Sequence, residues 1–402
     1  MRKNKIILLI LYVLLIILIN CSNNNPGNIE EQQYIPQPGM SVRDDRVVWT
    51  KKDDIPSPFL HDDGSVVNSP VEWEARRELI KKILEEYVYG PRPTLPIEHI
   101  ETGKEYPDYF VSANAITYHA KIFYDNSRCF NIRVTRPSGN GRYPVIIRYE
   151  NNEDFRFPIE KECIDNNRYV IVALNHLSVA PEEEQILENQ MHESKVLMSW
   201  AYAASLTVDY LEMLDFADCS KIAVAGMSRT GKSAICAAVY DERIAIVVAN
   251  SSGAAGASGF RNFGEKSTQA INIVRHQPTW VSEKLLEYID NPDELPVDMH
   301  FARALIAPRV ILTTEAYDGG GAKWAGPVST FRIWEASDYA FELYGKTVNN
   351  LIHLRRGVHD QLKEDYERMM EVINHVFYGD SFESTSYRKN IYDYEFYRYG
   401  QY

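Results

Sequence analysis

One eleven-residue stretch constrains the fold more than any other. Residues 224–234 read V-A-G-M-S-R-T-G-K-S-A. The apolar run 222–225 ends in Gly226, Ser228 follows two residues later, and small residues continue from Ala234 to Tyr240. A buried strand that turns sharply into a helix fits this pattern. Such an elbow lifts Ser228 above a sheet. It also aims the following backbone N–H groups, and the positive end of the helix, at the same point. A serine nucleophile in acyl transfer needs both, an exposed hydroxyl and donors for an oxyanion. The spacing here is G-x-S-R-x-G-K rather than G-x-S-x-G, because Arg229 and Thr230 stand between the serine and Gly231.

The same residues match a phosphate-binding loop, G-x-x-x-x-G-K-[ST], from Gly226 to Ser233. Local spacing does not separate the two readings, but context does. The chain opens with an export signal, and nucleoside triphosphates are scarce outside the cytoplasm. No apolar strand ending in a magnesium-binding aspartate accompanies the loop.

That signal is short. Arg2, Lys3 and Lys5 precede an apolar stretch over residues 6–19, and Cys21 follows Asn20. A basic start with a short apolar core reads as a signal peptide over residues 1–20, not a spanning helix. Cys21 at the cleavage point, before Ser22 and three asparagines, resembles a bacterial lipoprotein signal. The expectation is a lipid anchor at Cys21 in the cell envelope, on the outer membrane. A polar tether over residues 21–40 then holds off a single domain over residues 41–402. Otherwise the product is periplasmic or secreted.

The formal charge of −13 over 402 residues argues against a nucleic-acid surface. Cys129, Cys163, Cys219 and Cys236 form no Cys-x-x-Cys pair, so no metal site is expected. No cofactor is expected either, and the chain is taken to act as a monomer.

Along the chain, residues 71–89 read as a helix behind Pro70, stopped by Pro91 and Pro93. Residues 115–124 and 129–134 alternate like two antiparallel strands at a sheet edge. Apolar strands over 144–149, 169–174, 222–225, 245–249, 310–313 and 351–354 then alternate with helices, among them 198–214 and 366–377. This order implies an α/β-hydrolase fold, a mostly parallel sheet covered by helices on both faces. The tail from Tyr387 onward is rich in tyrosine and charge and is expected to be loosely held.

A serine hydrolase of this fold places its acid and then its histidine after the serine. His359 lies beyond the last strand and before the final helix, where a loop would carry imidazole over the elbow. His353 alternates within an apolar strand and reads as a core residue. Two carboxylates, Asp318 and Glu315, follow the 310–313 strand as candidates for the orienting acid. Asp318 precedes three glycines and is the preferred one.

The combination of motifs resembles the glucuronoyl esterases, carbohydrate esterase family 15. It includes G-M-S-R-T-G-K at 226–232, A-L-I-A-P-R at 304–309, W-A-G-P at 324–327 and the glycine-rich stretch 250–265. The resemblance implies cleavage of 4-O-methyl-glucuronic acid esters, as in links between xylan branches and lignin alcohols. It assigns Ser228 as nucleophile, Arg229 to the oxyanion, and Lys232, Trp324 and Glu265 to the sugar. One position departs from the family. Ser251 stands where many members carry the glutamate that completes the triad, so the acid must come from elsewhere. Two alternatives remain open on sequence grounds, an esterase acting on acetylated xylan and a lipid-anchored glycan-binding protein without turnover.

Overall fold

The computed structural model describes residues 48–49, 55–61, 63–125, 128–180, 194–261, 270–317 and 325–389. Contacts divide the chain into residues 1–40 and 41–402. Everything described belongs to the second unit. The expected signal peptide, Cys21 and the tether lie outside the described residues.

Strands β1 (Val48–Trp49) and β2 (Pro56–Ser57) form a small antiparallel pair. Helix α1 (Pro70–Leu84) follows, with Ser69 as N-cap and Pro70 in its first turn. The expected helix over 71–89 changes character after Leu84. A wide, π-helical turn over Glu85–Tyr89 ends it, and Gly90 at φ 73° lets the chain leave.

Ten strands then build one sheet. In chain order they are β3 (His99–Thr102), β4 (Tyr106–Pro107), β5 (Ala115–Asp125), β6 (Arg128–Pro137), β7 (Tyr143–Glu150), β8 (Val170–Asn175), β9 (Ala217–Met227), β10 (Ile244–Asn250), β11 (Val310–Ala316) and β12 (Asn350–Arg355). Their spatial order is β12-β11-β10-β9-β7-β8-β6-β5-β3, with β4 also paired to β5. From β12 to β8 all neighbours run parallel, and from β8 onward they are antiparallel. The antiparallel pair β5–β6 was expected at the edge, but β3 and β4 extend the sheet past it.

The continuous apolar strands pair on both sides, except β12 at the edge of the sheet. Ile222 and Val224 enter one core, while Ala223 and Ala225 enter the other. The larger core packs under α1, α2 (Val196–Leu211), α3 (Arg229–Tyr240) and α4 (Pro327–Leu343). The smaller core packs under α5 (Lys363–Tyr378). This is the doubly covered sheet that the alternation of elements implies.

The A-L-I-A-P-R run proves to be a staple between strands. Just before it, Arg303 donates to the Asn350 and Thr313 side chains and to the Leu351 carbonyl, at 2.7, 2.7 and 2.8 Å. At its end, Arg309 donates to the carbonyls of Ala238, Asp241 and Ile244. The tail begins more firmly than its composition implies, for Tyr387 is fully buried in the smaller core. The four cysteines at 129, 163, 219 and 236 are free.

The sheet order also fixes where a ligand can sit. The chain steps from β7 outward to β8, then returns to the opposite flank of β7 with β9. At such a switch point the loops leave in opposite directions and open a crevice beyond the carboxyl ends of the strands.

Candidate active site

A cleft of about 440 Å³ lies there. Its lining comes from the ends of β7 (Glu150, Asn151), β8 (His176) and β9 (Ser228, Arg229), and from the loop that carries His359.

Ser228 occupies the tip of the elbow at φ 53°, ψ −121°, a backbone region that L-residues rarely adopt. The two glycines of the motif make this turn possible. A Cβ on Gly226 would lie 2.3 Å from the Thr230 carbonyl oxygen, and one on Gly231 would lie 2.9 Å from Ser252 Cβ. Each glycine therefore permits a backbone approach that any side chain would block. Thr230 closes the turn, its Oγ1 accepting from the Met227 N–H at 3.0 Å and donating to the Met227 carbonyl at 2.9 Å. The Ser228 N–H donates to the Asn250 carbonyl at 2.8 Å, which pins the tip to the neighbouring strand end.

His359 reaches the tip from the far end of the chain, with Nε2 3.0 Å from Ser228 Oγ. Burial, and then the positive charge of Lys232, push this imidazole below its ordinary pKa, against the opposite pull of Asp360. It is therefore neutral near pH 7 and can accept the hydroxyl proton.

The loop that carries His359 is wrapped around a buried ion pair. Arg355 Nε lies 2.8 and 2.9 Å from the Asp365 carboxylate oxygens. The same guanidinium donates to the carbonyls of Arg356, Val358 and Asp360 at 3.3, 3.2 and 2.6 Å. Asp365 also accepts the Leu362 N–H at 2.7 Å, which starts α5. The residues on both sides of His359 are thus tied to one fork. A second tie runs from Arg148 Nη1 to Gln361 Oε1 at 3.1 Å.

The structure departs from two expectations. Glu315 is fully buried at the end of β11, and no hydrogen bond joins it to His359. Burial raises its pKa to about 8, against the lowering pull of the Ser251 hydroxyl and Arg355. A carboxyl group that keeps its proton at neutral pH is a poor orienting anion for an imidazole. Lys232 does not turn its ammonium to the cleft. It is fully buried, and Nζ donates to the carbonyls of Ser252 and Ala254 at 2.5 and 2.6 Å. Burial lowers its pKa to about 7, against the raising effect of Glu315. The same inward turn removes the cation that a phosphate loop would need.

Arg229 begins α3 beside Ser228, half-exposed, and Nη2 donates to Asn151 Oδ1 at 3.1 Å. His353 pairs with Glu364 at 2.7 Å, away from the serine. Asp318, Trp324 and Glu265 lie outside the described residues. Sequence reasoning passed over His176, Gln361 and the Arg355–Asp365 pair. His176 carried a usable signal, since it is the second polar residue after an apolar strand and strand ends line the crevice.

Comparison with known proteins bears on this geometry directly. A sequence model of the family described as "Glucuronyl esterase, fungi" matches residues 123–345, more than half of the chain and both flanks of the elbow. The chain belongs to the glucuronoyl esterase family. It is 27% identical over 313 residues to 4-O-methyl-glucuronoyl methylesterase 1 of Wolfiporia cocos, covering 73% of this chain and 72% of that protein. It is 26% identical over 395 residues to carbohydrate esterase MZ0003 from an unknown prokaryotic organism, covering 81% and 90%. Among solved structures it resembles a family 15 glucuronoyl esterase from Caldicellulosiruptor kristjansonii, with a TM-score of 0.69, 24% identity and coverage of 85% and 94%. It also resembles a glucuronoyl esterase mutant from Sporotrichum thermophile, in complex with methyl 4-O-methyl-β-D-glucopyranuronate, at a TM-score of 0.67 and 23% identity. That likeness covers 86% of this chain and 92% of the other. The α/β-hydrolase fold of this glucuronoyl esterase is therefore shared with its relatives.

Proposed function

We propose that this chain is a serine-type carboxylic ester hydrolase that cleaves esters of 4-O-methyl-glucuronic acid in plant cell-wall material. The observation that carries the reading is the 3.0 Å contact between His359 Nε2 and Ser228 Oγ, held at a strained elbow that faces a cleft. The relatives named for 4-O-methyl-glucuronoyl ester cleavage support the choice of acyl group.

In the proposed reaction His359 takes the Ser228 proton as Oγ attacks the ester carbonyl. The oxyanion forms beside the N-terminus of α3, where the helix dipole and the Arg229 cation favour negative charge. His359 then returns the proton to the departing alcohol oxygen as the C–O bond breaks. Water attacks the acyl-enzyme with His359 again as base, and the uronic acid leaves as Ser228 recovers its proton. The pair is complete within one chain, so a monomer is proposed as the working unit. Cys21 is proposed as the lipid-anchoring residue, on the strength of the basic and apolar residues before it. Loss of detergent partitioning in Cys21→Ala would support the anchor.

The enzymatic reading is tested with benzyl glucuronate. Wild type should release acid, and Ser228→Ala should reduce kcat by at least about a thousandfold. Release from acetylated xylan but not from the uronate ester would point to the wrong acyl group. No release from either would leave only a glycan-binding protein.

A further inference from the structure

The proposed chemistry uses one histidine, but the cleft is lined by two. His176 stands where β8 passes into a short helix, and only 1% of its surface is exposed. Two contacts fix its ring. Nδ1 lies 2.8 Å from the Glu150 backbone carbonyl. A carbonyl can only accept, so Nδ1 carries the proton. The ring also stands edge-to-face against Trp200, with centroids 4.4 Å apart at 77°. Trp200 is itself held by its indole N–H, which donates to the Ala180 carbonyl at 2.8 Å.

The other nitrogen, Nε2, is therefore a lone-pair acceptor that cannot rotate away. It is buried and has no hydrogen-bond partner among the described residues. Burial, with Arg229 nearby, lowers the ring's pKa to about 4, so it stays neutral wherever the enzyme would work. A buried acceptor without a donor opposes folding, and on a residue that lines a cleft it calls for a ligand that supplies the donor.

The surroundings narrow the class of that ligand. No group of His, Cys, Asp or Glu suited to a metal ion occurs among the described residues. Arg229 supplies positive charge on this side, which disfavours an ammonium donor. A neutral hydroxyl fits both conditions. In the ester, the oxygen contributed by the simple alcohols used as probes bears no proton, so the hydroxyls that can donate are those of the sugar. Glu150, on the same wall, adds a second acceptor. Its carboxylate is braced by Arg148 Nε at 2.8 Å.

Building on the proposed activity, we propose that His176 Nε2 forms a sugar subsite beside the nucleophile, accepting a hydrogen bond from one hydroxyl of the uronate ring. Its role is substrate selection, since the proton transfers belong to His359.

The test is calorimetric binding of methyl glucuronate and its monodeoxy analogues to the full chain made inert by Ser228→Ala. In that background His176→Phe keeps the packing against Trp200 but lacks the acceptor, and His176→Gln restores one. The phenylalanine variant should weaken Kd at least fivefold at an unchanged melting temperature, and glutamine should recover part of the loss. One deoxy analogue should bind the His176 protein at least fivefold more weakly than the parent ester, yet bind the phenylalanine variant equally to it. Equal discrimination among all analogues with and without the imidazole would overturn the subsite, because Nε2 would then hold only water. If phenylalanine unfolds the chain, His176→Leu, which likewise lacks the acceptor, decides through the same analogue pattern. Wild-type turnover of the ester is measured separately, so a failed esterase reading remains distinguishable from a failed subsite.

Discussion

The imidazole of His359 works only while neutral, and its surroundings keep it so. Burial and the Lys232 charge both lower its pKa, so the acid limb of kcat/KM should fall below the ordinary histidine value near 6.5. Activity is lost as pH drops through that limb and is full above it. Lys232→Met removes the charge and should move the limb upward, toward 6.5, which a pH–rate profile measures directly. If Lys232 instead met the sugar, the same variant would raise KM and leave the limb in place. Ser228 and His359 were legible in the sequence because spacing and chain order are local or ordinal properties. The states of Lys232 and Glu315 were not legible, because a lysine and a glutamate change character only when tertiary packing removes water from them.

At the level of elements, the elbow depends on two close approaches that glycine alone permits. Gly231→Ala places a methyl group 2.9 Å from Ser252 Cβ. We expect a loss of about 1–3 kcal/mol in denaturant unfolding, and lower kcat as the tip is displaced. Ser252→Gly removes the opposing carbon and should restore much of both, an interaction that a double-mutant cycle would read. The loop that holds His359 has its own brace. Arg355→Lys keeps a charge opposite Asp365 but loses the fork that reaches three carbonyls. It should lower kcat more than about tenfold with KM nearly unchanged, since a misplaced base affects the chemical step rather than binding. The brace escaped sequence reading because its partners, ten residues apart, meet only after the loop between them has closed. The parallel strands β7 to β12 were readable because each is a compact apolar run, whereas β1 to β4 are short and were not read. Helix α4 was not, since its buried face includes Arg332, Glu335 and Asp338, which no apolar stripe reveals.

For the whole molecule, the proton on buried Glu315 couples stability to pH. In the unfolded chain this carboxyl ionises above about 4.5, whereas the folded protein keeps it protonated until about 8. Between these values the unfolded state gains free energy by releasing its proton, so this group's contribution to stability declines as pH rises. Glu315→Gln should flatten that decline, by on the order of a few kcal/mol, in urea titrations compared at pH 5 and pH 8. A wild-type slope that survives the substitution would place its source elsewhere. The larger design also ties chemistry to the end of the chain. Asp365 belongs to the helix that seals the smaller core, and it grips the arginine that sets the base over the nucleophile. A protein cut off after residue 362 would retain Ser228 and His359 yet lose the carboxylate that fixes the Arg355 fork beneath the base. Catalytic competence should therefore wait until this helix has been made and docked, and its fraying should silence the enzyme before the sheet melts.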